Sequence, residues 1–262
     1  MSAPDTPLRL RPEGRCLHLE LSAPGRGNPL NRALIEALHT ALDQVEADPT
    51  VSVLTLSAEG PVFCDGMDFS EAVATAGDPE QELRAAVRRF HGLLERLARL
   101  PVIVAALVEG RVNAGGMGLV AACDVVYARP QADFGLSEIL FGLLPATVTP
   151  FLVRRTGLQT TYRMALTAQR LDAGQARACG LVDELCDDLA DAIRRLRLRA
   201  DRLDRAAIAR TKAFYADYAG FDPASCQRAE NTLAALLGDR HTAARLGHFI
   251  QGSLAPWPTR SN

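Results

Sequence analysis

The spacing of apolar and polar residues changes several times along the chain, and each change marks an element. Over residues 8–21 the two classes alternate around Pro12-Glu13-Gly14, which predicts a hairpin. Pro24-Gly25-Arg26-Gly27-Asn28-Pro29 reads as a loop. Asn31 is then placed to cap a helix whose Leu34, Leu38, Leu42 and Val45 fall on one face, ending near Ala47-Asp48-Pro49. Residues 51–57 (VSVLTLS) form a short β-rich run, the signature of a buried strand. Residues 62–69 leave that strand edge and head into a helix. A long amphipathic helix is predicted over 79–100, with Leu83, Val87, Phe90, Leu94 and Leu97 inward. Residues 101–108 (PVIVAALV) are a second buried run, closed by Glu109-Gly110.

Gly115-Gly116-Met117-Gly118 follows, opening a helix of small residues. An apolar strand is expected over 124–127, and then a glycine-rich turn that carries Glu138. Downstream the pattern predicts helices over 150–156 and 160–166, and a short one capped by Asp172. A short strand is expected within 180–185, then a helix over 187–204. Two more helices are expected, over 206–218 and 225–250, and residues 1–7 and the last dozen are expected to be frayed ends. Strands and helices alternate to about residue 185 and only helices follow, so the fold class is α/β with a C-terminal helical segment. Two passages, 51–72 and 101–122, share the order apolar strand, glycine turn, helix. Parallel strands ending in such turns would set two backbone N–H groups side by side.

Composition narrows the function. With 48% hydrophobic and 23% charged residues over 262 positions, the chain can bury a sizeable core. A net charge of −2 gives no reason to expect nucleic-acid binding. The six cysteines show no C-x-x-C and no pairing with the histidines, so neither a metal site nor a disulfide framework is expected. The first residues lack an apolar signal core and no run approaches the ~20 residues that span a bilayer. A cytoplasmic protein with no membrane contact is the expectation. Lys212 is the only lysine, so single arginines carry little information as functional signals.

Several residues invite a chemical reading. Residues 116–121 match G-x-G-x-x-A, but a dinucleotide site wants those glycines directly after an N-terminal strand, and here they come late. The alternatives are a glycine turn for tight packing, or backbone N–H groups at a helix start that form an oxyanion hole. A glutamate is most often solvated surface. The neighbours of Glu138, namely Ala132, Phe134, Ile139 and Phe141, argue instead for burial, which raises a carboxyl pKa and suits it to acid–base work. Cys64 has no histidine near it in sequence and is expected to pack. His91 is read as a surface or structural residue, and Asp124 as a strand-edge residue with a structural hydrogen bond.

Together these segments resemble the crotonase (enoyl-CoA hydratase/isomerase) superfamily. The resemblance rests on Phe63-Cys64-Asp65-Gly66-Met67-Asp68-Phe69, on Gly115-Gly116-Met117-Gly118-Leu119 with Ala122-Cys123-Asp124, and on Phe134-Gly135-Leu136-Ser137-Glu138 with Gly142-Leu143-Leu144-Pro145. It runs from about residue 17 to 185. It implies a spiral of ββα units as a core over residues 1–200, a C-terminal helical capping and trimerisation region over 201–262, and trimers or hexamers. It places the two oxyanion N–H donors on Met67 and Gly115, with Asp68, Gly116 and Gly118 as further substrate-binding positions. Of the two glutamates the family's hydratases use, one matches Glu138 and the other falls on Gly118, where the acid is missing.

Residues 64–69 and 141–155 are similar to one branch, the dehydratases of polyketide β-branching. Those enzymes convert a 3-hydroxy-3-methylglutaryl group on an acyl carrier protein to 3-methylglutaconyl. The resemblance implies no cofactor: the substrate thioester arrives on the phosphopantetheine arm of a carrier protein, or on coenzyme A. One carboxylate also suits a one-glutamate enoyl-CoA isomerase or hydratase. A methylglutaconyl-carrier-protein decarboxylase and a noncatalytic binding protein complete the alternatives.

Overall fold

The computed structural model describes residues 6–68, 78–218, 222 and 224–250. Two parallel-rich sheets and a cluster of helices share one core. The larger sheet has the order β1-β2-β3-β5-β7-β10. The hairpin of β1 (Leu8–Glu13) and β2 (Cys16–Leu21) is its antiparallel edge, turned at Gly14 with φ 59°. β3 (Val53–Ala58), β5 (Ile103–Val108), β7 (Val125–Ala128) and β10 (Glu184–Leu185) continue it in parallel. The second sheet has the order β4-β6-β8-β9, built from β4 (Val62–Cys64), β6 (Arg111–Asn113), β8 (Asp133–Gly135) and the antiparallel β9 (Leu171–Asp172).

The unbroken apolar runs of β3 and β5 are explained by cover on both faces. On one face they pack with α1 (Arg32–Ala47) and α2 (Pro79–Arg99), through Leu34, Leu38, Leu42, Phe90, Leu94 and Leu97. On the other, Val53, Ala105 and Tyr127 meet Leu189, Ala192, Ile193 and Leu196 of α7 (Leu189–Ala200). The remaining helices are α3 (Gly115–Ala122), α4 (Thr149–Thr156), α5 (Leu158–Thr167), α6 (Ala173–Ala178), α8 (Arg205–Tyr218), α9 (Ser225–Leu237) and α10 (Arg240–Ile250).

Three strand pairs follow one another, β3–β4, β5–β6 and β7–β8, and each gives one strand to each sheet. The short second strands have no periodicity of their own, and the hydrophobic pattern does not reveal them. They change the placement of the site: the two glycine turns follow β4 and β6 of the second sheet, not β3 and β5. The predicted single helix over 225–250 is two. Gly238 ends the first, and Asp239 opens the second by accepting the N–H groups of His241 and Thr242, each at 3.0 Å. The expected helical continuation beyond Phe69 and the expected C-terminal tail lie outside the described residues. Asn31 and Asp172 cap as expected. Asn31 Oδ1 accepts Leu34 N–H at 2.8 Å, and Asp172 forms a reciprocal capping box with Gln175.

Candidate active site

β4, β6 and β8 are adjacent and parallel, so they run out at the same edge of the second sheet. Met67, Gly115 and Glu138 lie three, two and three residues past those ends. In sheets with parallel strands, ligands collect in the crevice beyond the carboxyl ends of the strands. The topology thus brings together the three residues to which sequence reasoning gave chemistry.

The Met67 N–H is freed by the loop beside it. Leu30 N–H donates to Gly66 O at 2.8 Å, and Asp68 N–H donates to Leu30 O at 3.1 Å. Met67 lies between them, so its N–H points away from that loop and finds no acceptor among the described residues. Asn28, buried with φ 50°, holds the loop in place. Its side chain accepts Ala23 N–H at 2.7 Å and donates to the carbonyls of Glu59 and Val62 at 3.1 and 2.6 Å. No sequence signal singled out Asn28, because its partners lie 31 and 34 residues away.

The Gly115 N–H is freed by a flipped peptide. Ala114 precedes it at φ 46° and ψ −118°, a conformation that costs an alanine roughly 1–3 kcal/mol. Gly115 is the first residue of α3, so its N–H has no partner within the helix. Gly66, at φ 94°, brings the two turns together. A Cβ built on it would lie 2.7 Å from Ala114 Cβ and 3.2 Å from Gly115 N. The donors are therefore on touching turns, each preceded by a residue of positive φ. Two N–H groups on touching turns suit an oxyanion hole, in which both donate to one oxygen.

Glu138 opens a short 3-10 turn, Glu138–Phe141, closed by Gly142 at φ 80°. That turn is tied to the α3 turn twice: Ala114 N–H donates to Gly135 O at 3.0 Å, and Asn113 Nδ2 donates to Ser137 Oγ at 2.9 Å. The residue is only partly buried as a whole, but its Oε2 is buried and has no hydrogen-bond partner among the described residues. Burial pushes its carboxyl from 4.5 up to about 7, with the backbone N–H groups of Glu138 and Ser137 pulling partly the other way. A carboxyl poised near neutral pH is suited to taking and returning a proton.

The other expected positions have different surroundings. Asp68 is ion-paired with Arg26. The missing side chain of Gly116 leaves room for β4, since a Cβ there would lie 2.7 Å from Cys64 O. A Cβ on Gly118 would lie 2.5 Å from Val148 Cγ1 and 2.9 Å from Leu94 Cδ1, so the place of the second acid is filled by apolar packing. Cys64 is fully buried and its thiol is pushed up to about 12, which removes it as a nucleophile. His91 is buried against Ser225 Oγ at 3.1 Å and Phe151, a structural role. Asp124 accepts Val104 N–H at 2.7 Å and faces Lys212 Nζ at 2.6 Å, an ion pair whose geometry falls outside a directional hydrogen bond.

The enoyl-CoA hydratase/isomerase family model matches residues 13–232. The chain belongs to that family. This family member is 34% identical over 207 residues to the bacillaene synthase dehydratase PksH of Bacillus subtilis, covering 79% of each chain. It is 33% identical to a 1,2-epoxyphenylacetyl-CoA isomerase of Escherichia coli, covering 68% of this chain and 70% of that one. Among solved structures it superposes on the B. subtilis polyketide biosynthesis enoyl-CoA hydratase PksH with a TM-score of 0.81. The identity there is 29%, over 94% of this chain and 97% of that one. An enoyl-CoA hydratase from Mycobacterium avium paratuberculosis gives a TM-score of 0.85 at 27% identity, over 96% and 99% of the chains. The fold is the crotonase fold, and the protein is an enzyme of the hydro-lyase kind. Among the described residues no helix is long and apolar enough to cross a membrane.

Proposed function

We propose that this enzyme dehydrates a 3-hydroxy-3-methylglutaryl thioester carried on the phosphopantetheine arm of an acyl carrier protein, giving the 3-methylglutaconyl thioester of polyketide β-branching. The observation that carries this reading is a buried glutamate carboxyl, Glu138, at the same strand edge as two N–H groups without an acceptor among the described residues, with Val148 filling the space beside Gly118. The similarity to a bacillaene synthase dehydratase supports the polyketide setting.

The thioester carbonyl accepts from Met67 and Gly115 N–H. Glu138, as carboxylate, removes the proton on C2, and the electron pair moves onto the carbonyl oxygen as an enolate. Each donor to that oxygen is worth about 10²–10³ in rate. The enolate collapses, the C2–C3 double bond forms and the C3–O bond breaks. Glu138 returns its proton to the departing hydroxyl, which leaves as water, and the carboxylate is regenerated. Proton removal and return fall on one face of the substrate because one group does both. A homotrimer or hexamer, with the C-terminal helices at its contacts, completes the reading. A cytoplasmic setting belongs to the same reading.

The test is a dehydration assay read by mass. A carrier protein loaded with 3-hydroxy-3-methylglutaryl is mixed with enzyme and the acyl chain is weighed. Loss of one water is the expected result. Loss of carbon dioxide from a methylglutaconyl-loaded carrier would make the enzyme a decarboxylase instead. Turnover only of the coenzyme A thioester would reassign the carrier.

A further inference from the structure

α3 is buried from Gly116 to Ala122, so its last carbonyls cannot turn to water. Each has a protein donor instead. Cys123 supplies two, its N–H to Val120 O and its thiol to Leu119 O, both at 3.2 Å. Arg154, in the last turn of α4, donates to Ala121 O at 3.0 Å and reaches Ala122 O at 3.4 Å. Arg155 donates to Cys123 O at 3.0 Å and to Leu181 O at 2.9 Å, and is itself ion-paired with Asp183. Asp124, one residue on, is fixed by Val104 N–H and Lys212.

The front of the same helix is held by close packing and by one backbone bond just before it, Ala114 N–H to Gly135 O at 3.0 Å. It has no side-chain cap, and three of its first four residues are glycines. Its remaining side chains make apolar contacts, which have no direction and resist sliding weakly. Among the described residues, the side-chain hydrogen bonds to the backbone of α3 itself are at its rear. The helix is eight residues long, about 12 Å at 1.5 Å per residue, and moves as one rod. A shift at Ala121 is transmitted to Gly115.

We propose that Arg154 is a positioning residue for the reaction: its guanidinium clamps the rear carbonyls of α3 and so sets where Gly115 presents its N–H to the enolate oxygen. This rests on the reading of Gly115 as an oxyanion donor. One nitrogen, Nη2, makes both contacts, and the planar guanidinium fixes its direction; a lysine ammonium sits on a flexible stem without that fixed direction. Charge at a helix C-terminus is favourable for either residue, so the clamp separates from the charge.

The test compares Arg154→Lys and Arg154→Gln with the parent enzyme. The expected result is a fall in kcat of roughly 10–100-fold in both, with KM changed less than about threefold, since misplacement by about 1 Å costs on that order. Binding of two inert substrate analogues gives the second readout. One has a thioether CH2 in place of the thioester carbonyl; the other carries an anionic oxygen at that position. Affinity for the anionic analogue falls with kcat, and affinity for the thioether is unchanged. A merely structural arginine would lower the folded fraction and Tm and leave the ratio of the two affinities intact. That unaltered ratio in a folded variant overturns the clamp. Should the Gln variant fail to fold, the Lys variant carries the measurement. A parent enzyme that turns over no thioester and binds both analogues alike overturns the oxyanion reading, and the clamp with it.

Discussion

A Cβ on Gly118 would lie 2.5 Å from Val148 Cγ1, closer than real side chains approach. The helix that presents the Gly115 N–H has therefore exchanged an acid position for apolar contact with α4's N-terminal neighbour and with Leu94 of α2. Gly118→Ala is expected to lower stability by about 1–3 kcal/mol through overpacking. Gly118→Glu is expected to cost more and to add no hydratase activity, because the carboxylate would meet Val148 and Leu94 rather than substrate. Pairing Gly118→Ala with Val148→Ala should recover part of the loss. Thermal unfolding of the single and double variants measures it.

Glu138→Gln should lower kcat by about 10²–10⁴, the usual contribution of a general acid–base group. It should also stabilise the fold at high pH. The folded carboxyl, at about 7, lies above its ordinary 4.5, so between those values the folded state holds more protons than the unfolded one. Stability therefore falls as pH rises through that window and stays lower above it. The full effect is about 3 kcal/mol at 1.36 kcal/mol per unit. The variant, having no such proton, is expected to gain on the parent at pH 8 and not at pH 4, read by urea unfolding at both.

The pH dependence of kcat/KM follows the same group. The base form is the ionised one, so activity should rise about tenfold per unit below a pH of about 7 and level off above it. A profile flat between pH 5 and 8 would remove Glu138 as the base.

Ala114→Gly should raise stability by about 1 kcal/mol and keep activity. It relieves an alanine at φ 46° and leaves the Gly115 N–H in place, against a smaller entropic cost in the unfolded chain. Gly66→Ala should do the reverse. Its φ of 94° and the 2.7 Å approach to Ala114 Cβ leave no room, and the two donor turns must part. Loss of kcat greater than loss of Tm-derived stability is the expected signature, checked by kinetics on the folded fraction.

Lys212→Met alone is expected to cost about 1–3 kcal/mol, because it leaves the partly buried carboxylate of Asp124 without its cation. Lys212→Met with Asp124→Asn should cost much less. Denaturant unfolding of the double-mutant cycle tests the coupling.

The legible part of the fold was the part with local causes. Asn31 and Asp172 announce helix starts because their side chains reach N–H groups three residues ahead. The long runs of β3 and β5 announce themselves because both faces are covered. Glu138 could be singled out because its sequence neighbours are apolar, and Ala132, Phe134 and Phe141 are buried in the fold. The three-residue strands β4, β6 and β8 were not legible. Their pairing comes from neighbours 20 or more residues away, and three residues carry no period. Asn28 and Arg154 were missed for the same reason, since the carbonyls to which their side chains donate are 31 or more residues away in the chain.

The α/β class, the two glycine turns, the glutamate at 138 and the glycine at 118 can be read from residue identity and short-range pattern. Assembly of the fold puts Met67, Gly115 and Glu138 at one sheet edge, brings Gly66 against Ala114, and packs Val148 against Gly118. Those relations are set by strand pairing and packing between segments tens of residues apart. Burial of Glu138, which moves its carboxyl to about 7, is likewise a property of the assembled core and not of any stretch of chain.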